Sequence, residues 1–504
     1  MYGRKECNDV EPPVNIGEPW PDFDEAGARV RWMQAKLHLW ATRDTSRVFD
    51  DLYNLVCEPA FLVNAWERVQ QNKGGRTAGV DGVVPRKLPP IPERFLADLR
   101  RQLKERTFRP QRVREQLIPK PGSLKKRRLG IPTAGDRVVQ AALKLVLEPI
   151  FEVDFSPASY GFRPRRRAQD AVAEVHHFAT QGYTWVFEAD IEACFDNIDH
   201  TALMGQVRRR VKDKRVLALV KAFLKAGILT EDGMERDTQT GTPQGGVLSP
   251  LLANIALSVV DAHFQKIWDA FSIGTRFPGQ RRQRLRRAGG ATYKIVRYAD
   301  DFVILVHGTQ AHAEELWTIV ADLLRPTGLN LSPEKTRVTY LDDGFDFLGW
   351  RIQRRRKAGT TKMVVYTYPS KKSLASIIGK IRVITRRSGS PYVSLEQLLK
   401  HLNVVVRGWC NYFRHGVSAA TFRYLYLYMW TSVARWLRAR HPKLGWRKIQ
   451  RRFLTGYPAH RPEENGTVLY NPQEIVIERY RWRGYTIPTP WTRLANMMNT
   501  AQQA

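Results

Sequence analysis

Acidic residues are scarce for a chain of this size: among 504 residues, 49 are Asp or Glu against 81 Lys or Arg, a formal net charge of +32. Solubility alone requires far less, so the imbalance points to a polyanionic partner, nucleic acid or an anionic membrane. Cysteine is rarer still. Cys7, Cys57, Cys194 and Cys410 stand apart, and none lies roughly two to four residues from another, as paired zinc ligands or redox dithiols do. Neither a structural zinc nor a disulfide framework is expected. Apolar runs of about 18 residues are missing, as is a charged leader ahead of a short apolar segment. The membrane is therefore the weaker partner, and the chain reads as soluble and cytoplasmic. No internal repeat is visible. A hydrophobic content of 43% can still fill a sizeable core, and the length suits about three domains.

An N-terminal extension, residues 1–60, begins with EPPVNIGEPWPDFDEAG and shifts into helical spacing around Trp32, Leu37 and Leu39. Phe61 to Val69 is again helical, and NKGGRTAGVDG at 72–82 is a Gly-rich basic loop or a plain surface turn. Between Arg112 and Ser370, short β-branched and aromatic runs alternate with helical stretches, which predicts an α+β domain. Beyond Ser370 the strand signals fade. Leu395, Leu398, Leu402, Val405, Trp409 and Tyr412 recur at helical spacing, with Gly416 the expected C-cap. Phe422, Leu425, Met429, Val433, Trp436 and Leu437 mark a second helix, so 371–460 reads as all-helical, and 461–504 is a C-terminal tail in which YNPQEIVIERYRWRGYTIPTPW reads as extended.

The chemistry concentrates in three segments. In ATYKIVRYADDFVILVHG, two apolar β-type runs flank Tyr298-Ala299-Asp300-Asp301 as strand, tight turn and strand would, which puts two carboxylates at a hairpin tip. Adjacent acids repel unless a cation neutralises them, and Mg²⁺ prefers carboxylate oxygens together with phosphates. Alone, Asp-Asp in a turn is usually only a turn. TWVFEADIEACFDNIDH adds a third acid, because a β-like segment from Trp185 to Ile191 runs into a helix start with Asp190 at the strand's end. Two-metal phosphoryl transfer needs acids from separate strand ends around ions roughly 3.5 to 4 Å apart. Asp196 and Asp199 are better explained by a turn or a helix N-cap. In GTPQGGVLSPLLANIAL, Gly241 to Gly246 permit close backbone approach to a ligand, and Ser249-Pro250 suits an N-cap and first turn.

Taken in order, EADIEACFD, TPQGGVLSP and YADDFVIL resemble the reverse transcriptases encoded by group II introns, and the resemblance runs from the 72–82 loop to about residue 455. It implies a right-hand polymerase: fingers and palm with an antiparallel sheet over 61–370, then a helical thumb and maturase domain over 371–460. Further implied are RNA-directed DNA synthesis on two Mg²⁺ ions, with Mn²⁺ as a substitute, from dNTPs on a primer–template duplex. Structured group II intron RNA and target DNA are the implied partners, copying is target-primed, and a homodimer is compatible. By the same resemblance, Asp190, Asp300, Asp301 and the Ile191 carbonyl hold metal, and Lys335 in LSPEKT protonates pyrophosphate. In LIPKPGSLKKRRLGIPTAGDRVVQ, Lys120 and Arg127 meet the triphosphate, with Arg128 standing where the family commonly has proline. Phe195 excludes a ribose 2′-hydroxyl, Gln244 lines the nucleotide pocket, and Phe347, Leu348 and Gly349 in FDFLGW form the primer grip. A further DNA-endonuclease module of paired Cys and His is not expected in the cysteine-free residues after the maturase-like helices.

Two basic stretches remain. Arg435, Arg438, Arg440, Lys443, Arg447, Lys448, Arg451 and Arg452 recur too densely to be mutually comfortable without a polyanion, which predicts an RNA backbone contact surface. PGQRRQRLRRAGG at 278–290 reads as a mobile loop that orders on RNA, or equally as a plain solvated loop. Two alternatives share these motifs: a splicing factor that only binds RNA, and a reverse transcriptase turned to phage defence or CRISPR spacer acquisition. Intact acids disfavour the first, and the maturase-like region disfavours the second.

Overall fold

The computed structural model describes residues 20–503, except 120–125, 231–233, 237, 239, 387–388 and 457–459. Helix α1 (Phe23–Arg43) starts at a capping box: the Asp22 carboxylate accepts the N–H groups of Asp24 and Glu25, both at 2.8 Å, and Glu25 accepts that of Asp22 at 3.2 Å. Its buried stripe includes Val30 and Leu37, facing α2 (Pro59–Gln71), which opens on proline and buries Phe61, Leu62 and Trp66. Strands β1 (Val113–Pro119) and β2 (Lys126–Ile131) form an antiparallel pair, followed by α3 (Ala134–Phe151), buried on nearly every side. The Gly-rich basic loop at 72–82 is pinned to this framework. Arg137 donates to the carbonyls of Gly74 and Thr77, each at 2.8 Å, and Asp81 accepts the Ala134 N–H at 3.0 Å.

The central layer follows with α4 (Ala168–Thr180), β3 (Trp185–Ala189), α5 (Ser249–Ala270), α6 (Pro278–Arg287), β4 (Thr292–Tyr298), β5 (Asp301–His307) and β6 (Arg337–Tyr340). Its sheet runs β4-β5-β3-β6, antiparallel throughout. Alternate residues feed two cores. Phe187, Phe302 and Ile304 join the core beneath α5, whereas Val186, Val303 and Leu305 join one shared with α4 and the C-terminal helices. A sheet covered on both faces reads as continuous apolar runs, which explains FVILV and KIV.

Two details depart from the sequence reading. Ser249 is the first residue of α5 rather than its cap; its hydroxyl accepts from Thr242 Oγ1 at 2.6 Å and donates to the Pro243 carbonyl at 2.9 Å, tying the helix to the glycine loop. Residues 278–287 are helical, not a loop. Pro278 sits at the N-terminus, and Arg and Gln are good helix formers, so propensity prevails over like-charge repulsion.

A second sheet, β9-β8-β7, is built from β7 (Phe345–Phe347), β8 (Trp350–Arg356) and β9 (Met363–Pro369). It leads into α7 (Lys371–Ile384), α8 (Leu395–Phe413), α9 (Ala419–Arg440) and α10 (Trp446–Phe453). All six apolar residues expected to face inward on α9 are buried. Gly416 does not cap α8 in the left-handed region; a Cβ there would lie 2.3 Å from the Trp350 ring and 2.6 Å from the Thr367 carbonyl. The tail is extended between two docked ends: Arg483 and Tyr480 bind Asp170, Trp482 stacks on His177 at 4.0 Å, and α11 (Thr492–Gln503) returns to α1, where Trp491 Nε1 donates to Gln34 at 3.1 Å. Among the described residues no helix is long and apolar enough to cross a membrane.

Gly416→Ala, a change that is mild in an ordinary loop, is expected to destabilise the chain by about 1–3 kcal/mol through overpacking against Trp350 and the Thr367 backbone. Urea unfolding monitored by tryptophan fluorescence reads it, and an unchanged midpoint would refute the steric account.

Candidate active site

Register sets the site. Ala189 pairs with Phe302 across β3 and β5, and Tyr298 pairs with Asp301 across β4 and β5. Asp190 therefore leaves β3 beside Asp301, and the two-residue turn Ala299-Asp300 closes the neighbouring hairpin at the same sheet edge. Ala299 holds φ +60°, an unfavourable left-handed conformation for an alanine.

The turn is held from below by Arg297, fully buried inside β4. Its Nε donates to Asp261 Oδ1 at 2.9 Å, and its Nη1 donates at 2.9 Å both to Asn254 Oδ1 and to the Ala299 carbonyl. Asn254 Nδ2 also donates to the Gly161 carbonyl at 2.9 Å. Gly161 must be glycine: a Cβ there would sit 2.2 Å from the Ala299 nitrogen. The sequence reading passed over Arg297, Asp261, Asn254 and Gly161. A lone Arg in KIVRYADD and a lone Asp in ALSVVDAHF, each inside an apolar run, were the available signal.

The acids act on one another. Desolvation, then the Asp190 charge, raises the Asp300 carboxyl above the ordinary range, against the opposing charges of Arg127 and Arg297. Asp301 is pushed up to about 6 by partial desolvation and then by Asp300 and Asp190, with Lys335 and Lys372 opposing. Lys335 Nζ donates to Asp190 Oδ2 at 2.9 Å, a hydrogen bond that raises the ammonium above its usual range. Asp190 is further fixed through its backbone, its carbonyl accepting the Ser332 N–H at 2.8 Å and its N–H reaching Thr336 Oγ1 at 3.3 Å. Ile191, buried, bridges to Leu331. Among the described residues no group of three or more His, Cys, Asp or Glu closes into a ready-made metal cage. Acids at one sheet edge, open to solvent on one side, suit a hard divalent cation held by one or two carboxylates together with substrate phosphates and water.

Around this edge lie the other expected residues. Lys120 falls outside the described residues. Arg127 is exposed on β2 and its charge reaches Asp300, whereas Arg128 pairs with Glu115 at 3.5 Å. The glycine loop is wedged between β2 and the segment after β3: the Gln244 carbonyl accepts the Gly130 N–H at 2.6 Å, and Thr242 N–H donates to the Phe195 carbonyl at 2.6 Å. Gly241, at φ +83°, has no room for a Cβ, which would lie 2.5 Å from the Asp196 carbonyl. Phe195 is half-buried, edge-on to the exposed Phe162 at 6.3 Å. Asp199 caps a helix through the Ala202 N–H at 2.7 Å. Phe347, Leu348 and Gly349 form a two-residue hairpin with φ +51° and +81° at Leu348 and Gly349. Tyr412 donates to the Leu348 carbonyl at 2.8 Å, and Ser373 to that of Gly349 at 2.9 Å. Arg435, Arg438, Arg440, Lys443, Arg447, Lys448, Arg451 and Arg452 are all exposed, and residues 397–462 contain no Asp or Glu.

Comparison with known proteins agrees with this geometry. Residues 118–352 match the reverse transcriptase (RNA-dependent DNA polymerase) family, and residues 374–454 match the group II intron maturase-specific domain. The protein YkfC of Escherichia coli K12 is 36% identical over 371 residues, 70% of this chain and 97% of YkfC. The group II intron-encoded protein LtrA of Lactococcus lactis is 31% identical over 436 residues, 73% of this chain and 70% of LtrA. An uncharacterised 91 kDa protein in the cob intron of Schizosaccharomyces pombe is 28% identical over 477 residues, 84% of this chain and 57% of that protein. With the catalytic and maturase-specific regions in this order, the chain belongs to the group II intron-encoded reverse transcriptases, RNA-directed DNA polymerases that also carry a maturase domain.

Proposed function

We propose that the chain extends a DNA 3′-end along intron RNA by target-primed reverse transcription, and that Asp190, Asp300, Asp301 and the Ile191 carbonyl hold two Mg²⁺ ions, for which Mn²⁺ can substitute. When bound, such ions activate a 3′-hydroxyl and steady the departing pyrophosphate. The observation that carries this reading is the β3–β5 register, with three carboxylates at one sheet edge, where desolvation and the Asp190 charge raise Asp300, and desolvation with the Asp300 and Asp190 charges raises Asp301. Carboxylates crowded in this way gain most from divalent cations.

The residues around them take complementary roles. Lys120 and Arg127 neutralise the triphosphate of an incoming dNTP. Gln244 lines the pocket, with its backbone fixed to β2. Phe195 closes the space a 2′-hydroxyl would need. Lys335, kept protonated by Asp190, gives its proton to pyrophosphate. The Phe347–Gly349 hairpin, anchored by Tyr412 and Ser373, seats the primer end. Arg435, Arg438, Lys443, Arg447, Lys448 and Arg451 contact the phosphates of the folded intron RNA and assist its splicing. What supports this last role is the exposure of every one of these cations within an acid-free stretch of 66 residues, 397–462.

Asp300→Ala should lower cDNA synthesis by roughly 10³-fold or more while RNA affinity stays within about twofold. Primer extension and filter binding on the same preparation separate the two, and undiminished synthesis would remove the metal site. Phe195→Ala should narrow the preference for dNTP over rNTP by about tenfold or more in single-nucleotide incorporation; unaltered sugar selectivity would leave Phe195 a packing residue. Six cations on phosphates predict a logarithmic salt slope of about −4 to −5 for RNA binding. Titration across a range of KCl concentrations measures it, and a flat response would contradict the basic surface.

A further inference from the structure

Helix α6 carries a second charge pattern that polymerisation leaves unused. Residues 272–290, SIGTRFPGQRRQRLRRAGG, hold six arginines and no acid. The helix is divided into two opposite faces. Arg282 and Arg286, one turn apart, face the protein: the Arg282 guanidinium lies over the Trp268 ring at 4.3 Å, and Arg286 donates to Tyr183 Oη at 2.8 Å and Thr292 Oγ1 at 2.9 Å. Arg281, Arg284 and Arg287 fall at i, i+3 and i+6, on the other side of the same helix, and all three are exposed. None of the three appears in an ion pair with a carboxylate among the described residues. Arg281 makes one local bond, to the Ile273 carbonyl at 2.6 Å. Beside this row, the loop leading into α6 exposes Ile273 and Phe277, at 71% and 63% of their surface. Large apolar side chains in water next to guanidinium groups without a carboxylate partner are the combination that binds unstacked bases and their phosphates.

Position makes the surface separate from the catalytic edge. α6 enters β4 at Thr292, whereas the Ala299-Asp300 turn lies at the strand's other end, roughly 20 Å away along seven residues. Arg282 and Arg286 make the helix a fixed projection rather than a floating one.

We propose that the outer face of α6, Arg281, Arg284 and Arg287 together with Phe277, is a docking surface for folded RNA with single-stranded loop nucleotides, distinct from both the primer–template cleft and the α9–α10 basic face. The arginines bind phosphates across one loop, and Phe277 stacks on a base of it.

The test uses the full chain with Arg281, Arg284 and Arg287 all changed to Gln, and separately Phe277→Ala. Circular dichroism melting confirms that each variant folds, since none of the four side chains is buried. The binding probe is a fluorescent 30-nucleotide RNA hairpin with an eight-base loop, titrated by anisotropy across KCl concentrations; a primer-extension assay on poly(rA)/oligo(dT) runs in parallel. Three lost phosphate contacts should make the salt slope shallower by about 2 to 3 and weaken hairpin binding tenfold or more at moderate salt. Phe277→Ala should weaken it by about tenfold with the slope unchanged. Extension at saturating primer–template should stay within twofold for both. An unchanged slope in the triple variant would mark α6 as a solvated face. Extension falling in step with hairpin binding would place α6 on the primer–template path and overturn its separateness. Loss of binding to phosphatidylglycerol vesicles with hairpin binding intact would replace RNA by a membrane. Because the catalytic acids are untouched, none of these failures bears on the metal-site assignment.

Discussion

The geometry of the site rests on one buried cation. Moving a guanidinium into the protein interior costs several kcal/mol unless its donors are satisfied, and the donors of Arg297 are shared among Asp261, Asn254 and the Ala299 carbonyl. The turn it supports has little stability of its own. Ala299 is left-handed, at about 1–2 kcal/mol, and Asp300 and Asp301 repel each other at its tip. Gly161 closes the opposite side at a distance no other residue allows. A strained, self-repelling turn thus persists because its surroundings leave no alternative, which is the usual condition for strain at a working site. Losing one partner of such a buried pair costs roughly 3–5 kcal/mol, since the other is left charged in the interior.

The same sheet explains why the C-terminal helices are tied to the edge that carries the three acids. Side chains alternate along β3, β4 and β5, so one face completes the core under α5 and the other completes a core with α4, α8 and α9. Trp350 and Gly416 meet in that second core, and Tyr412 on α8 bonds the hairpin at Leu348. A displacement of α8 must therefore move the hairpin, because packed interiors transmit strain rather than absorb it. The tail reinforces the connection by docking on α4 through Arg483 and on α1 through Trp491.

What could be read from the chain follows from how local each signal is. The strand–turn–strand pattern around Asp300 and the strand end at Asp190 depend on neighbours in sequence, and so does the helical stripe of α9. Gly416 looked like a helix cap because caps are the common reason for glycine there; its actual reason, the Trp350 ring, is 66 residues away in sequence and enters only with the fold. Ser249 had the chemistry of a cap but was drawn into the glycine loop by Thr242 and Pro243. The arginine block at 278–287 was read by its charge, whereas helix propensity decided its conformation. Arg297 was legible in principle, as a charge inside an apolar strand that must have found a partner.

Charge is segregated in this molecule in a way that neither half could sustain alone. One sheet edge gathers three carboxylates, and the surface of α9 and α10 gathers cations within 66 residues that hold no acid. A nucleic acid drawn to the second would be repelled by the first, since phosphates and carboxylates carry the same sign. The chain already reduces that repulsion: the Lys335 ammonium sits on Asp190, while Lys372 at the start of α7 and Arg127 on β2 act on Asp301 and Asp300 respectively. These three cations come from three different parts of the fold. The local balance at the acids therefore depends on fingers, palm and the first C-terminal helix being assembled together, so that affinity for the substrate and the tolerance of its phosphates at the acids both arise only in the folded whole.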